Sequence, residues 1–131
     1  EFVGEISDAE KDDFLGNAMA LVCPYDWPEP FGLVLIEALA CGTPVLAYRR
    51  GSIPEIIDHG ATGFICETVS EMVDAVGQVS LINRQRCRAA FDERFTAERM
   101  ARDYVALYER LLEDGTAHAF AVEPHKILGR G

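Results

Sequence analysis

Short apolar runs alternate with stretches that carry helix-start signals, and this alternation restricts the fold more than any other feature. Four runs read as strands: residues 2–6, 20–23, Val45-Leu46-Ala47-Tyr48 and Gly63-Phe64-Ile65-Cys66. Between and after them lie helical patterns, three of which open on an S/T-x-x-E capping box: Ser7 with Glu10, Ser52 with Glu55, and Thr68 with Glu71. Asn83 and Thr96 are the expected caps of a short basic helix and a longer one, the latter ended by Gly115. Strands joined by helices must pair in parallel, so an α/β sheet with helices on both faces is expected. The third and fourth runs are apolar throughout, as strands covered on both faces should be. The last 16 residues, 116–131, show no period and are expected to form a flexible tail after a partial domain spanning residues 1–115.

In sheets of this kind, ligands bind beyond the carboxyl ends of the strands. One loop in that position has an unusual composition, Tyr25-Asp26-Trp27-Pro28-Glu29-Pro30, and a strongly apolar helix follows it from Gly32 to Ala40. Pro30 suits the helix entry. Gly32 allows close backbone approach, and the free amides around residues 31–34 offer an anion site that needs no cation. Glu37 is the one charge between Glu29 and Arg49, so burial would require it to be protonated, paired or met by hydrogen-bonding hydroxyls such as those of a ribose. On the residues alone two readings stand. Either Glu29 and Glu37 face a ligand, or Glu29 is a helix-end charge and Glu37 a buried partner for an arginine.

Charge narrows the choice of partners. The 131 residues carry a net charge of −10, which argues against nucleic acid or an acidic membrane surface. The distribution is uneven: residues 1–83 hold 14 acidic and 3 basic side chains, residues 84–131 hold 8 and 9. The four cysteines form no C-x-x-C pair and read as small buried residues in a reducing, cytoplasmic setting. His59 is explained by a helix end, and His118 and His125 fall in the tail, so no metal cluster is expected. Trp27 reads either as a wall of the ligand cleft or as an anchor for its loop. The chain opens on Glu1 in what reads as mid-strand, so it is taken as a piece of a longer protein.

The segment Glu29-Pro30-Phe31-Gly32 with Glu37, then Gly42-Thr43-Pro44-Val45, then Gly51-Ser52-Ile53-Pro54-Glu55, resembles the retaining family 4 glycosyltransferases over residues 2–112. Their GT-B architecture faces two Rossmann-like domains across a cleft. The match is to the C-terminal half, the donor-binding domain, with its first two βα units missing. The resemblance implies transfer of a sugar from a nucleotide-diphospho-sugar donor to an acceptor, here unknown. Transfer retains the anomeric configuration, the leaving phosphate assists, and no metal or other cofactor is required. It implies that Glu29 binds donor-sugar hydroxyls in a catalytic role, that Pro30, Phe31, Gly32 and Leu33 meet sugar and diphosphate, and that Glu37 holds the ribose. Ile6 and Lys11 fall near the nucleotide base, and Arg50 and Gly51 on a loop facing the crevice.

The family's diphosphate-binding Arg and Lys would precede Glu1, as would its N-terminal domain. The piece alone is therefore expected to be inactive. It is also expected to self-associate through an open sheet edge at residues 20–23, where the first two strands would insert between the runs at 2–6 and 20–23. The competing expectations are a glycoside-cleaving enzyme using Glu29 and Glu37 as its carboxylate pair, and a non-catalytic nucleotide- or sugar-binding module.

Overall fold

The computed structural model describes residues 1–113. The expected tail at 116–131, with His118, His125 and the helix stop at Gly115, lies outside the described residues. The chain divides into two compact units, the first Glu1–Thr96, the second beginning at Ala97.

In the first unit, α1 (Asp8–Asn17), β1 (Leu21–Cys23), α2 (Leu33–Ala40), β2 (Val45–Tyr48), α3 (Ile53–Ile56), β3 (Gly63–Cys66) and α4 (Val69–Gln78) follow in order. A 3₁₀ turn at Val79–Leu81 then leads to α5 (Arg84–Arg94). The strands form one parallel sheet in the order β1-β2-β3, with Leu21 opposite Val45 and Val45 opposite Gly63. Alternation along β2 divides the core between the two faces. Val45 and Ala47 pack with Leu35, Leu39, Ile53 and Cys87 from α2, α3 and α5, while Leu46 packs with Met72 and Ala75 of α4. Helices therefore cover both faces, as the strand-helix alternation requires. A side chain at Gly63 would collide with the Val45 backbone, its Cβ only 2.9 Å from Val45 N and C, so the β2–β3 contact needs a glycine there.

Four of the nine basic residues after residue 83 lie on α5, and three of them have a structural task. Arg84 donates to the carbonyls of Ala18 (2.7 Å) and Gly16 (2.6 Å) at the end of α1, and to Thr43 Oγ1 (2.9 Å). Thr43, fully buried, donates in turn to Leu15 O at 2.7 Å. Arg88 donates to Ala40 O (2.9 Å) at the end of α2, and Arg94 to the Ile56 and Glu55 carbonyls at the end of α3. Three arginines of one helix thus satisfy the last carbonyls of three others, where the helix dipole favours positive charge.

The structure corrects several expectations. Residues 2–6 form no strand: Gly4 has φ +76°, Phe2 and Val3 are exposed, and neither β1 nor any other described strand pairs with them. An apolar run without a ladder partner leaves its amides and carbonyls to water, and so has no reason to stay extended. Ser7 and Glu10 do form their box, Ser7 N and Oγ donating to Glu10 Oε2 at 3.2 and 2.5 Å. At Thr68 the box is half made: Thr68 Oγ1 accepts from Glu71 N (3.2 Å), but Glu71 Oε2 takes the Glu67 amide (2.8 Å). Ser52 does not cap α3 with its side chain at all. Asn83 caps α5 through Gln85 N at 2.9 Å. Cys23, Cys66 and Cys87 are buried, Cys41 only partly, and all four are free thiols.

The second unit is described over α6 (Ala97–Glu113), a 17-residue helix. Its Met100, Tyr104, Leu107, Tyr108 and Leu112 recur at helical spacing, and the Tyr104 and Tyr108 rings lie 6.0 Å apart. Among the described residues no helix is long and apolar enough to cross a membrane.

Candidate donor-binding site

The parallel register places Cys23 beside Ala47, so the loops leaving β1 and β2 start side by side. They stay together by backbone contact. Gly51, at φ +51°, lies so close to Glu29 that a Cβ there would sit 2.6 Å from Glu29 N and 2.9 Å from Glu29 C. Ser52 N donates to Glu29 O (2.9 Å), and Ser52 Oγ donates to Phe31 O (2.9 Å). Arg50 pairs with Asp26 (3.3 Å) and Glu67 (3.8 Å), and Arg49 with Glu67 (2.7 Å). The ends of all three strands are thereby joined at one rim. Arg49 and Arg50 are two of the three basic residues before residue 84, and both are engaged in these pairs.

Glu29 is held at both oxygens. Oε1 accepts from Gly32 N at 3.0 Å and Oε2 from Trp27 Nε1 at 3.3 Å. Trp27 stacks on Tyr25 with ring centroids 4.7 Å apart, so the tryptophan anchors the loop. Burial, followed by hydrogen bonding with the Cys23 thiol, pushes the Tyr25 phenol up to about 12. Gly32 is the N-cap of α2 at φ +82°, a left-handed conformation that favours glycine. Pro30 precedes that cap by two residues, so it shapes the loop rather than the first helical turn. The anion site expected at residues 31–34 is already partly filled: the Gly32 amide is bonded to Glu29's own carboxylate. The amides of Leu33 and Val34, in the first turn, have no intrahelical acceptor. Phe31 and Leu33 are exposed.

A cleft of about 380 Å³ opens between these loops and α3, lined by Pro28, Glu29, Pro30, Phe31, Gly51, Ser52, Glu55, Ile56 and Phe95. Its lining includes two carboxylates, Glu29 and Glu55, and no lysine or arginine.

Glu37 is not buried. Its side chain keeps 36% of its accessibility and pairs with Lys11 Nζ at 3.0 Å, because this face of α2 turns toward α1 and not toward the sheet. Lys11 also reaches Asp8 at 3.1 Å. The Glu37 carboxylate first, and Asp8 second, raise the Lys11 ammonium above its usual value. The anticipated arginine partner of Glu37 is thus a lysine that was itself placed near the nucleotide. Ile6 is half-buried in the irregular stretch just ahead of α1. His59 uses Nδ1 to accept from Ile65 N (3.1 Å), a structural bond. Among the described residues no three His, Cys, Asp or Glu side chains gather as they would around a metal ion.

Two features of the rim escape a reading of the sequence. Ser52 carried a signal, S-x-x-E, that pointed to a different role, and the Asp26–Arg50 and Arg49–Glu67 pairs join residues too far apart in the chain for any local pattern to link them.

Residues 1–94 match the family described as Glycosyl transferases group 1. The chain belongs to that family. Among its relatives, N-acetyl-alpha-D-glucosaminyl L-malate synthase of Bacillus anthracis is 37% identical over 94 residues, covering 66% of this chain and 25% of that protein. Glycogen synthase of Mycobacterium tuberculosis is 34% identical over 113 residues, covering 86% of this chain and 24% of its own length. The structure of sucrose-phosphate synthase from Thermosynechococcus elongatus superposes with a TM-score of 0.75 at 28% identity, over 87% of this chain and 30% of that one. The chain thus spans about a quarter of the length of these curated relatives. The family read from the glutamate pair and the two glycine-proline segments is the family found.

Proposed function

We propose that this chain is the donor-binding part of an enzyme that transfers a sugar, of the hexosyl type, from a nucleotide-diphospho-sugar to an acceptor with retention of configuration. The observation that carries the reading is the Glu29 carboxylate, held by Trp27 and Gly32 in a cleft whose lining has carboxylates and no cations. Each of its oxygens has a further lone pair. Such a group accepts hydrogen bonds from sugar hydroxyls and gives no support to a phosphate. The diphosphate would meet the first-turn amides of α2, next to Phe31, Gly32 and Leu33, where the helix dipole favours an anion. Glu37, oriented by Lys11, would accept from the ribose hydroxyls. In this reading Lys11 acts on Glu37 rather than on the base, and Arg50 holds the rim together. Ile6 remains beside the base. No metal or other cofactor enters the scheme. The bond from anomeric carbon to phosphate oxygen breaks, the bond to the acceptor oxygen forms on the same face, and the acceptor's hydroxyl proton passes to the leaving diphosphate.

Membership of the group 1 family and the parallel α/β fold support this reading, and the four free thiols fit a cytoplasmic setting. The chain alone is inactive in this scheme and binds donor more weakly than about 1 mM, because the cleft lining has no lysine or arginine to clamp the leaving diphosphate. In the complete enzyme, Glu29→Gln lowers turnover while Glu37→Ala weakens inhibition by the free nucleotide. Wild-type turnover in Glu29→Gln, or hydrolysis of simple glycosides without a nucleotide donor, would overturn the proposal.

A further inference from the structure

The Phe31–Gly32 peptide unit is gripped at both ends. Its carbonyl oxygen accepts from Ser52 Oγ at 2.9 Å, and its N–H donates to Glu29 Oε1 at 3.0 Å. From the structure we infer that Ser52 is the positioning residue for the Glu29 carboxylate, acting through the orientation of this one peptide plane. The inference rests on the proposed role of Glu29 only for its kinetic consequence.

The physical reason lies in Gly32. A peptide plane preceding glycine can turn over with little steric cost, because glycine accepts positive and negative φ about equally. In one orientation the Gly32 N–H points at Glu29; in the other the carbonyl would point there, and a carboxylate facing a carbonyl oxygen is repelled. Gly32 is held at φ +82°. Ser52 selects that orientation by donating to Phe31 O, and its own amide fixes the neighbouring Glu29 O at 2.9 Å. The hydroxyl makes this bond and takes no part in capping α3. Gly51 permits the approach, since its Cα faces the Glu29 backbone with no room for a side chain. The bonds run in series from Ser52 through the peptide to Glu29 and on to Trp27 Nε1, and each polarises the next.

The test follows the Gly32 amide by ¹⁵N–¹H NMR while the carboxylate is titrated between about pH 3 and 7. In the unaltered chain the Gly32 resonance moves with the Glu29 carboxylate, and Glu29→Gln abolishes the movement. Ser52→Ala is expected to cut its amplitude by at least about half, with the Trp27 indole resonance shifting in step, and Ser52→Thr, which keeps the hydroxyl, to restore it. Unchanged Gly32 titration in Ser52→Ala would overturn the inference, as would failure of Ser52→Thr to rescue in a chain that melts like the parent. In the complete enzyme, Ser52→Ala is expected to lower kcat about tenfold with nucleotide inhibition unchanged. If the NMR result holds and kcat does not move, Ser52 still positions Glu29, and the donor-sugar role proposed for Glu29 is what fails.

Discussion

Lys11 Nζ stands 3.0 Å from Glu37 Oε1, tying the second glutamate of the E-x7-E segment to a helix that precedes it by 26 residues. The pair fixes the Glu37 carboxylate at the helix face, with 36% of its side chain still accessible.

The lysine's ammonium is raised by this contact, which sets a pH dependence. A group whose folded value lies above its unfolded one adds stability that is complete below the unfolded value, 10.5, and fades as the pH climbs through the folded value. Lys11→Met should therefore melt slightly lower than the parent chain at neutral pH. The difference should vanish in melts recorded well above pH 10.5.

Tyr25 provides a second alkaline transition. Its phenol is pushed up to about 12 from 10.0. The folded chain holds this proton more tightly than the unfolded one, so stability falls as the pH rises from about 10 toward 12. Ultraviolet difference titration should show one tyrosine ionising late, and Tyr25→Phe should remove that phase.

Gly51→Ala should destabilise the first unit by about 2 kcal/mol or more, because the position combines a positive φ with direct contact on the Glu29 backbone. Urea unfolding measures the loss. The same variant should shift the Gly32 and Trp27 resonances, since the loop that carries Glu29 must move to make room.

Arg84 and Arg88 separate buried from exposed capping. Arg84→Ala leaves Gly16 O, Ala18 O and buried Thr43 short of a donor and should cost about 2–4 kcal/mol. The Arg88 side chain is 57% exposed, so Arg88→Ala should cost less than about 1 kcal/mol. Equal losses in denaturant melts would contradict the hub assigned to Arg84.

The outer edge of β1 has no strand beside it among the described residues, and Val22 is exposed there. The isolated chain should self-associate through this edge, and Val22→Lys should reduce the association. Light scattering that shows a monomer across the concentration range would remove this expectation.

Much of the architecture could be read from local pattern. The continuous apolar runs at Val45–Tyr48 and Gly63–Cys66 marked strands in the observed places, and the boxes at Ser7 and Thr68 marked real helix starts. The run at 2–6 was misleading, because an apolar stretch states only a willingness to pair and its partner must come from elsewhere. The Ser52 box was misleading for a related reason: the hydroxyl donates to the Phe31 carbonyl, 21 residues away, a partner that no local pattern names.

The order of strands and helices, the family, and the residue types at the site were therefore present in the chain as local signals, since periodicity, caps and short motifs act over a turn or two. Which cation would meet Glu37, which peptide would hold Glu29, and why the basic residues gather after residue 83 depended on packing. Each of these rests on a contact between distant segments, Lys11 with Glu37, Ser52 with Phe31, Arg84 with Gly16. Such contacts exist only once the sheet has brought the loop ends together and α5 has come to lie against the ends of three earlier helices.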